Sequence, residues 1–210
     1  MTHRPRVFAS LALTAALAIL GGCGSSSSKK SSGPAVTSKP TPFQGAVATP
    51  PKPAPPLRLK DSTGKPFNLA NERGKAVLIT FLYTHCPDVC PLITGNLHTV
   101  FKQLGTRAAK LQIVAVSTDP RGDTPGTVKK FLAAHQMTGT MRYLIGSKSM
   151  LGAVWKKWAI VARPDRASPD KVEHSALIYG ISASGKITTL YPANFKPAQM
   201  VNDVPILAKQ

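Results

Sequence analysis

Two cysteines stand four residues apart in FLYTHCPDVCPL (Phe81–Leu92), each followed by a proline, at the end of an apolar run. Paired sulfurs serve as a disulfide clip, a thiol redox couple or a soft metal site. A disulfide between Cys86 and Cys90 closes a very small loop and stabilises little through chain entropy. The spacing is CxxxC, whereas the thiol redox motif is CxxC. Structural zinc sites are closed, four-coordinate and rich in Cys or His. Two thiolates with one imidazole suit copper better, because copper takes soft ligands and low coordination numbers. Cys90 precedes Pro91, and the residue before a proline is pushed out of the helical region, so Cys90 is expected as a helix N-cap. There the helix dipole would lower its thiol pKa.

The chain has three cysteines and five histidines, and the choice of imidazole follows from position. His98 and His135 fall on helical patterns and read as solvated helix residues. His85 abuts Cys86 and would have to aim its ring away from a metal held in the same loop. His174 follows the long polar loop ARPDRASPDKVE and opens HSALIYGIS, so a mobile segment could carry it over the cysteines. His174 is the favoured ligand; His85, or no histidine at all, remain the alternatives.

The elements that would position these residues follow from periodicity. LRLKDSTGKPFNLA (Leu57–Ala70) reads as two short strands about a Ser-Thr-Gly turn, and AVLITFLY (Ala76–Tyr83) as a buried central strand. Apolar positions from Leu92 to Leu104 recur at helical spacing, with Gly105 as the stop. LQIVAVST is a second buried strand, and TPGTVKKFLAAHQ a helix capped by Thr124 with Pro125 in its first turn. MRYLIG is a strand, SKSMLGAVWKKWAI a helix, HSALIYGIS and KITTLY a strand pair, and PAQMVNDVPILAK a closing helix. The fold class is α/β: a thioredoxin-like fold with a central mixed β-sheet flanked by helices.

The N-terminus bounds the compartment. Residues 1–22 combine a basic start, the apolar run Val7–Leu20 and small residues, which is a secretory signal; the run is short for a bilayer span. LGGC is similar to a bacterial lipobox, and that resemblance implies that Cys23 is the lipidated first residue of the mature chain; the alternatives are an ordinary signal peptide cleaved nearby or an uncleaved membrane anchor. Residues 23–56 are rich in Ser, Pro and Lys and read as a disordered tether. Residues 57–210 form the folded domain. The formal charge is +18. Six of the 27 basic residues (Arg4, Arg6, Lys29, Lys30, Lys39 and Lys52) precede Leu57, so the domain holds 21 against 9 acidic residues, a net of +12. Their scatter without a dense run, together with the export signal, excludes nucleic acid as a partner. A basic face toward an anionic membrane surface or an acidic protein fits better, and a merely solvated surface fits equally.

DSTGKPFNLANERGKAVLITFLYTHCPDVCPLITGNL, IVAVSTDPRGDTPGTVKKFL and VEHSALIYGISASGKI together resemble the SCO/SenC family of thioredoxin-like copper chaperones. The resemblance implies one copper ion held by Cys86, Cys90 and His174 and delivered to the copper A centre in subunit II of cytochrome c oxidase. It also implies exchange with a thiol–disulfide reductant or another copper chaperone, at the extracytoplasmic face of a bacterial membrane. Asp88 and Asp119 are placed beside the ligands by family position, though each also reads as a loop cap or turn aspartate. The family commonly has Asp before the histidine, and Glu173 departs from that with a longer arm. A binding and transfer protein is favoured over an enzyme. The alternative is a thiol–disulfide oxidoreductase or peroxiredoxin-like enzyme, which would hold a cis-proline before the late strand where this chain is read as having His174.

Overall fold

The computed structural model describes residues 41–164, 172–174 and 176–210. The expectations for the signal, for Cys23 and for the first part of the tether lie outside the described residues.

In chain order the elements are β1 (Ala46–Pro53), β2 (Arg58–Asp61), β3 (Pro66–Asn68), β4 (Ala76–Leu82), α1 (Val89–Leu104), β5 (Leu111–Ser117), α2 (Pro125–Ala134), β6 (Met141–Ile145), α3 (Lys148–Lys157), β7 (Ala162–Pro164), β8 (Val172–His174), β9 (Leu177–Ile181), β10 (Lys186–Pro192) and α4 (Pro197–Leu207). Eight strands form one sheet in the order β1-β10-β9-β4-β5-β6-β2-β3, and β7 pairs with β8 in a separate ribbon. At the centre, β5-β4-β9-β10 has one parallel pair and two antiparallel ones. With α1 following β4, this is the thioredoxin-like core.

β4 is buried along its whole length because both faces of the sheet are covered. Leu78 and Leu82 point to the side packed by α1, α2 and α4, with Ile93, Leu97, Phe131 and Val204. Val77, Ile79 and Phe81 point to the other side, with Leu151, Val154 and Trp158 of α3 and its C-terminal turn. This alternation is the period-two geometry of a strand acting on a continuous apolar run. α1 stops where expected, at Gly105 with φ +54°, and α2 starts at the Thr124 cap, whose side chain accepts the Thr127 N–H.

Two expectations are corrected. The tether was read through residue 56, yet β1 pairs with β10 (Ala46 with Leu190, Lys52 with Ile187) and Phe43 packs on the core. The prolines that suggested a tether occupy an edge strand, where a missing N–H costs no ladder bond and blocks further pairing. HSALIYGIS is likewise not one strand. β9 begins at Leu177, and His174 lies in the ribbon, opposite Ala162. The reason is the length of β4: with Thr80 opposite Ile178, β4 ends at Leu82 and offers nothing to pair beyond Ala176.

The far end of the sheet is held by Asp61. Its Oδ2 accepts from Arg142 Nε and Nη2 at 3.0 and 2.7 Å, and its Oδ1 accepts from Thr63 and the Lys65 N–H. Burial raises its pKa, but the bonds from Thr63, Arg142 and Lys65 outweigh burial and bring it below the ordinary 3.8. A depressed carboxylate stabilises the fold above its unfolded value and loses that contribution as pH falls through the folded one. Parent and Asp61→Asn should therefore differ in urea midpoint at pH 7, and the difference should shrink as pH falls below 3.8. A gap that stays constant on acidification would contradict this.

Candidate metal centre

The site lies where β4 gives way to α1. β4 ends at Leu82, the chain turns through Thr84 and His85, and α1 begins at Val89. Cys86 is 6% exposed and Cys90 is fully buried, and both are thiols. The Cys90 N–H donates to Cys86 Sγ at 3.3 Å, and the Cys86 thiol faces Asp88 Oδ1 at 3.8 Å. Two soft donors therefore converge in an almost dry pocket, as a low-coordinate thiophilic ion requires.

The N-cap is Asp88, not Cys90. The Asp88 carboxylate accepts the Val89 N–H, which places Cys90 second and Pro91 third in the helix. A carboxylate caps far better than a thiol, and a proline in the first turn lacks an N–H that would have been orphaned anyway. The lowered thiol pKa expected for Cys90 is also reversed. Its hydrogen bond with Cys86 and then its burial push it well above the ordinary thiol range, with the charges of Cys86 and Asp123 adding to the rise. Without metal, Cys90 is a poor nucleophile.

Asp119 sits in the β5–α2 loop as a turn aspartate, accepting the Arg121 N–H at 3.1 Å. A Cβ on Gly122 would lie 2.2 Å from Asp119 Oδ2 and 3.1 Å from His85 Nδ1. Glycine is what lets this loop press against the cysteine loop. His85 is exposed, with Nδ1 at 3.2 Å from Thr84 Oγ1. His98 is half-buried on α1. His135 ends α2 with its ring 4.6 Å from Phe131, and burial lowers its pKa.

The backbone of His174 is at the cysteine end of the sheet. β9 runs antiparallel to β4, so its start at Leu177 lies beside the end of β4 from which the cysteine loop departs. His174 precedes that start by three residues, and Glu173 lies beside it in the ribbon opposite Arg163. β9 is entered through Ala176, half-buried against the core, and not through a proline.

One residue of the site escaped sequence reasoning. Asp123 is 5% exposed, and its carboxylate accepts the Thr84 N–H (2.8 Å), the Ser117 hydroxyl (2.6 Å) and the Tyr143 hydroxyl (2.9 Å). Burial raises its pKa against those bonds. In STDPRGDTP it looks like a turn residue ahead of the Thr124 cap. Only the convergence of β4, β5 and β6 marks it.

Comparison with known proteins agrees with this geometry. A sequence profile of the SCO1/SenC family matches residues 47–209. Protein SCO2 of Saccharomyces cerevisiae mitochondria is 30% identical over 145 residues, covering 67% of this chain but only 48% of its own length. The SCO1 protein homolog of Bacillus subtilis is 29% identical over 140 residues, covering 65% and 72%. The solved structure of Bradyrhizobium japonicum ScoI with copper bound superposes with a TM-score of 0.65 at 28% identity, covering 72% of this chain and 97% of that one. With the cysteine pair at the end of β4, a thioredoxin-like core around it and a profile match over most of its length, this chain belongs to the SCO1/SenC family.

Proposed function

We propose that this protein is a copper carrier of the extracytoplasmic membrane face, lipid-anchored through Cys23, which holds one copper ion through Cys86, Cys90 and His174 and delivers it to the copper A centre of cytochrome c oxidase subunit II. The observation that carries the reading is the pair of buried cysteines at the end of β4, drawn together by the Cys90 N–H bond to Cys86 Sγ. A copper-bound relative of the same fold supports the choice of metal. A thiol with a raised pKa, as at Cys90, is a poor redox nucleophile but is deprotonated by a bound cation. That argues for cargo binding over thiol–disulfide catalysis. Transfer would proceed by a partner's cysteines replacing the two sulfurs in turn, so that the ion is never released to water. Leu92, 48% exposed on the first turn of α1 two residues after Cys90, offers an apolar contact on the same helix for such a partner.

The test is copper retention. The reduced full chain is loaded with Cu(I) anaerobically, desalted and analysed for metal beside His174→Ala. The parent should retain one copper, and the variant should bind on the order of ten- to a hundredfold more weakly, as for loss of an imidazole that completes a thiolate site. Equal affinity in both would remove His174 from the ligand set. No copper in either, with thiols that still exchange with glutathione disulfide, would favour an oxidoreductase.

A further inference from the structure

We infer that Asp123 is the positioning residue of the cysteine pair: its buried carboxylate sets where the Cys86 turn stands relative to Cys90. The two sulfurs are mounted on different bodies. Cys90 is fixed by α1, its carbonyl also accepting from Thr94 Oγ1 at 2.7 Å. Cys86 rides on the turn after β4, where the Cys86 N–H reaches the Tyr83 carbonyl at 3.4 Å. That turn is clamped from the β5–α2 side. Thr118 donates its N–H to the Leu82 carbonyl at 2.8 Å, and Asp123 Oδ1 takes the Thr84 N–H two residues before Cys86. Asp123 Oδ2 is in turn anchored by Ser117 on β5 and Tyr143 on β6. One carboxylate thus ties the loop-borne half of the pair to the centre of the sheet.

A carboxylate is a costly way to link loops in a core. Among the described residues the ion pairs are Lys75–Glu72 and Arg142–Asp61, so no cation offsets Asp123. All three of its partners instead present donors to it, and the Thr84 N–H can do nothing else. Asparagine could keep that bond through Oδ1 and donate from Nδ2 to either hydroxyl oxygen. Alanine would keep none.

The consequence for copper rests on the reading above, so the experiment has a readout that does not. In the metal-free, reduced full chain, alkylation of Cys86 by iodoacetamide is followed by peptide mass; Cu(I) affinity is measured separately by competition with bicinchoninate. Asp123→Ala should keep native helix content, alkylate at Cys86 about tenfold faster because a buried thiol reacts through local opening, and bind Cu(I) about ten- to a hundredfold more weakly. Asp123→Asn should recover both to within about threefold, the order of a partly kept hydrogen bond. Tyr143→Phe, which removes one anchor and leaves the ring packed, should lie between, and it decides the matter should the alanine variant not fold. Parent-like alkylation in Asp123→Ala, or in Tyr143→Phe if that variant must stand in, would overturn the inference. So would an asparagine variant as impaired as alanine, since charge and not position would then matter. If the parent itself binds no copper, the copper reading fails while the alkylation result still decides the role of Asp123.

Discussion

Cys90→Ser is expected to strip the chain of copper. After anaerobic Cu(I) loading and desalting the parent should carry about one ion, and the variant less than about a tenth of that. The underlying loss is on the order of a thousandfold in affinity, or about 4 kcal/mol. The reason is chemical. A thiolate is a soft donor matched to Cu(I), and a serine hydroxyl is hard, protonated at neutral pH and one of only two sulfur positions gone. The fold should survive, because the site is small and the Tyr83 backbone bond to the Cys90 sulfur, which lowers its pKa as a donor does, can equally be given to a serine hydroxyl oxygen. A destabilisation of about 1–2 kcal/mol is the expected ceiling. Cys86→Ser should behave in the same way with respect to metal. If both serine variants kept one tightly held copper, the ion would be sitting elsewhere and the proposed centre would be wrong.

The second large effect concerns stability and lies in a different network. Asp203 on α4 is fully buried, and its carboxylate accepts from the Gln44 N–H (2.9 Å), the Gly45 N–H (2.8 Å), the Tyr191 hydroxyl (2.8 Å) and Asn202 Nδ2 (2.8 Å). It fastens the entry to β1 onto the last helix. Gly45 sits so close to the Tyr191 ring that a Cβ there would meet it at 2.4 Å. Asp203→Ala would leave buried donors unsatisfied, which costs about 3–5 kcal/mol in total. At the usual 2–4 °C per kcal/mol for a domain this size, the Tm should fall on the order of 10 °C. Hydrogen exchange should rise first at Gln44 and Gly45, while copper retention should stay at the parent level because Asp203 bonds to nothing in the cysteine loop. An unchanged Tm with unchanged protection at those amides would show that β1 is held by the sheet alone.

How much of this was legible beforehand follows from the range of the forces involved. β4 and β5 could be read because a strand covered on both faces must be apolar throughout. The Thr124-Pro125 start and the Gly105 end of two helices could be read because capping is local chemistry. The competition at the start of α1 is also local, yet it was decided the other way: Asp88 outbid Cys90 for the cap, and the preference of a pre-proline residue for extended backbone gave way. β1 was hidden because proline has one meaning in a tether and another on a sheet edge, and only a partner strand tells them apart.

The order of elements and the CxxxC pair after an apolar strand were determined by the residues themselves, since periodicity and short-range capping need no distant partner. So was the fold class, which the βα order and its closing strand pair imply. Three things were settled by tertiary structure alone. The sheet's length limit cut His174 out of β9 and placed it in a ribbon. The neighbouring Cys86 side chain and then burial raised the Cys90 pKa where helix position suggested a fall. Three donors from three elements met at Asp123. Each depends on which distant segments share a space, and solvation and hydrogen bonding change only when that space is enclosed.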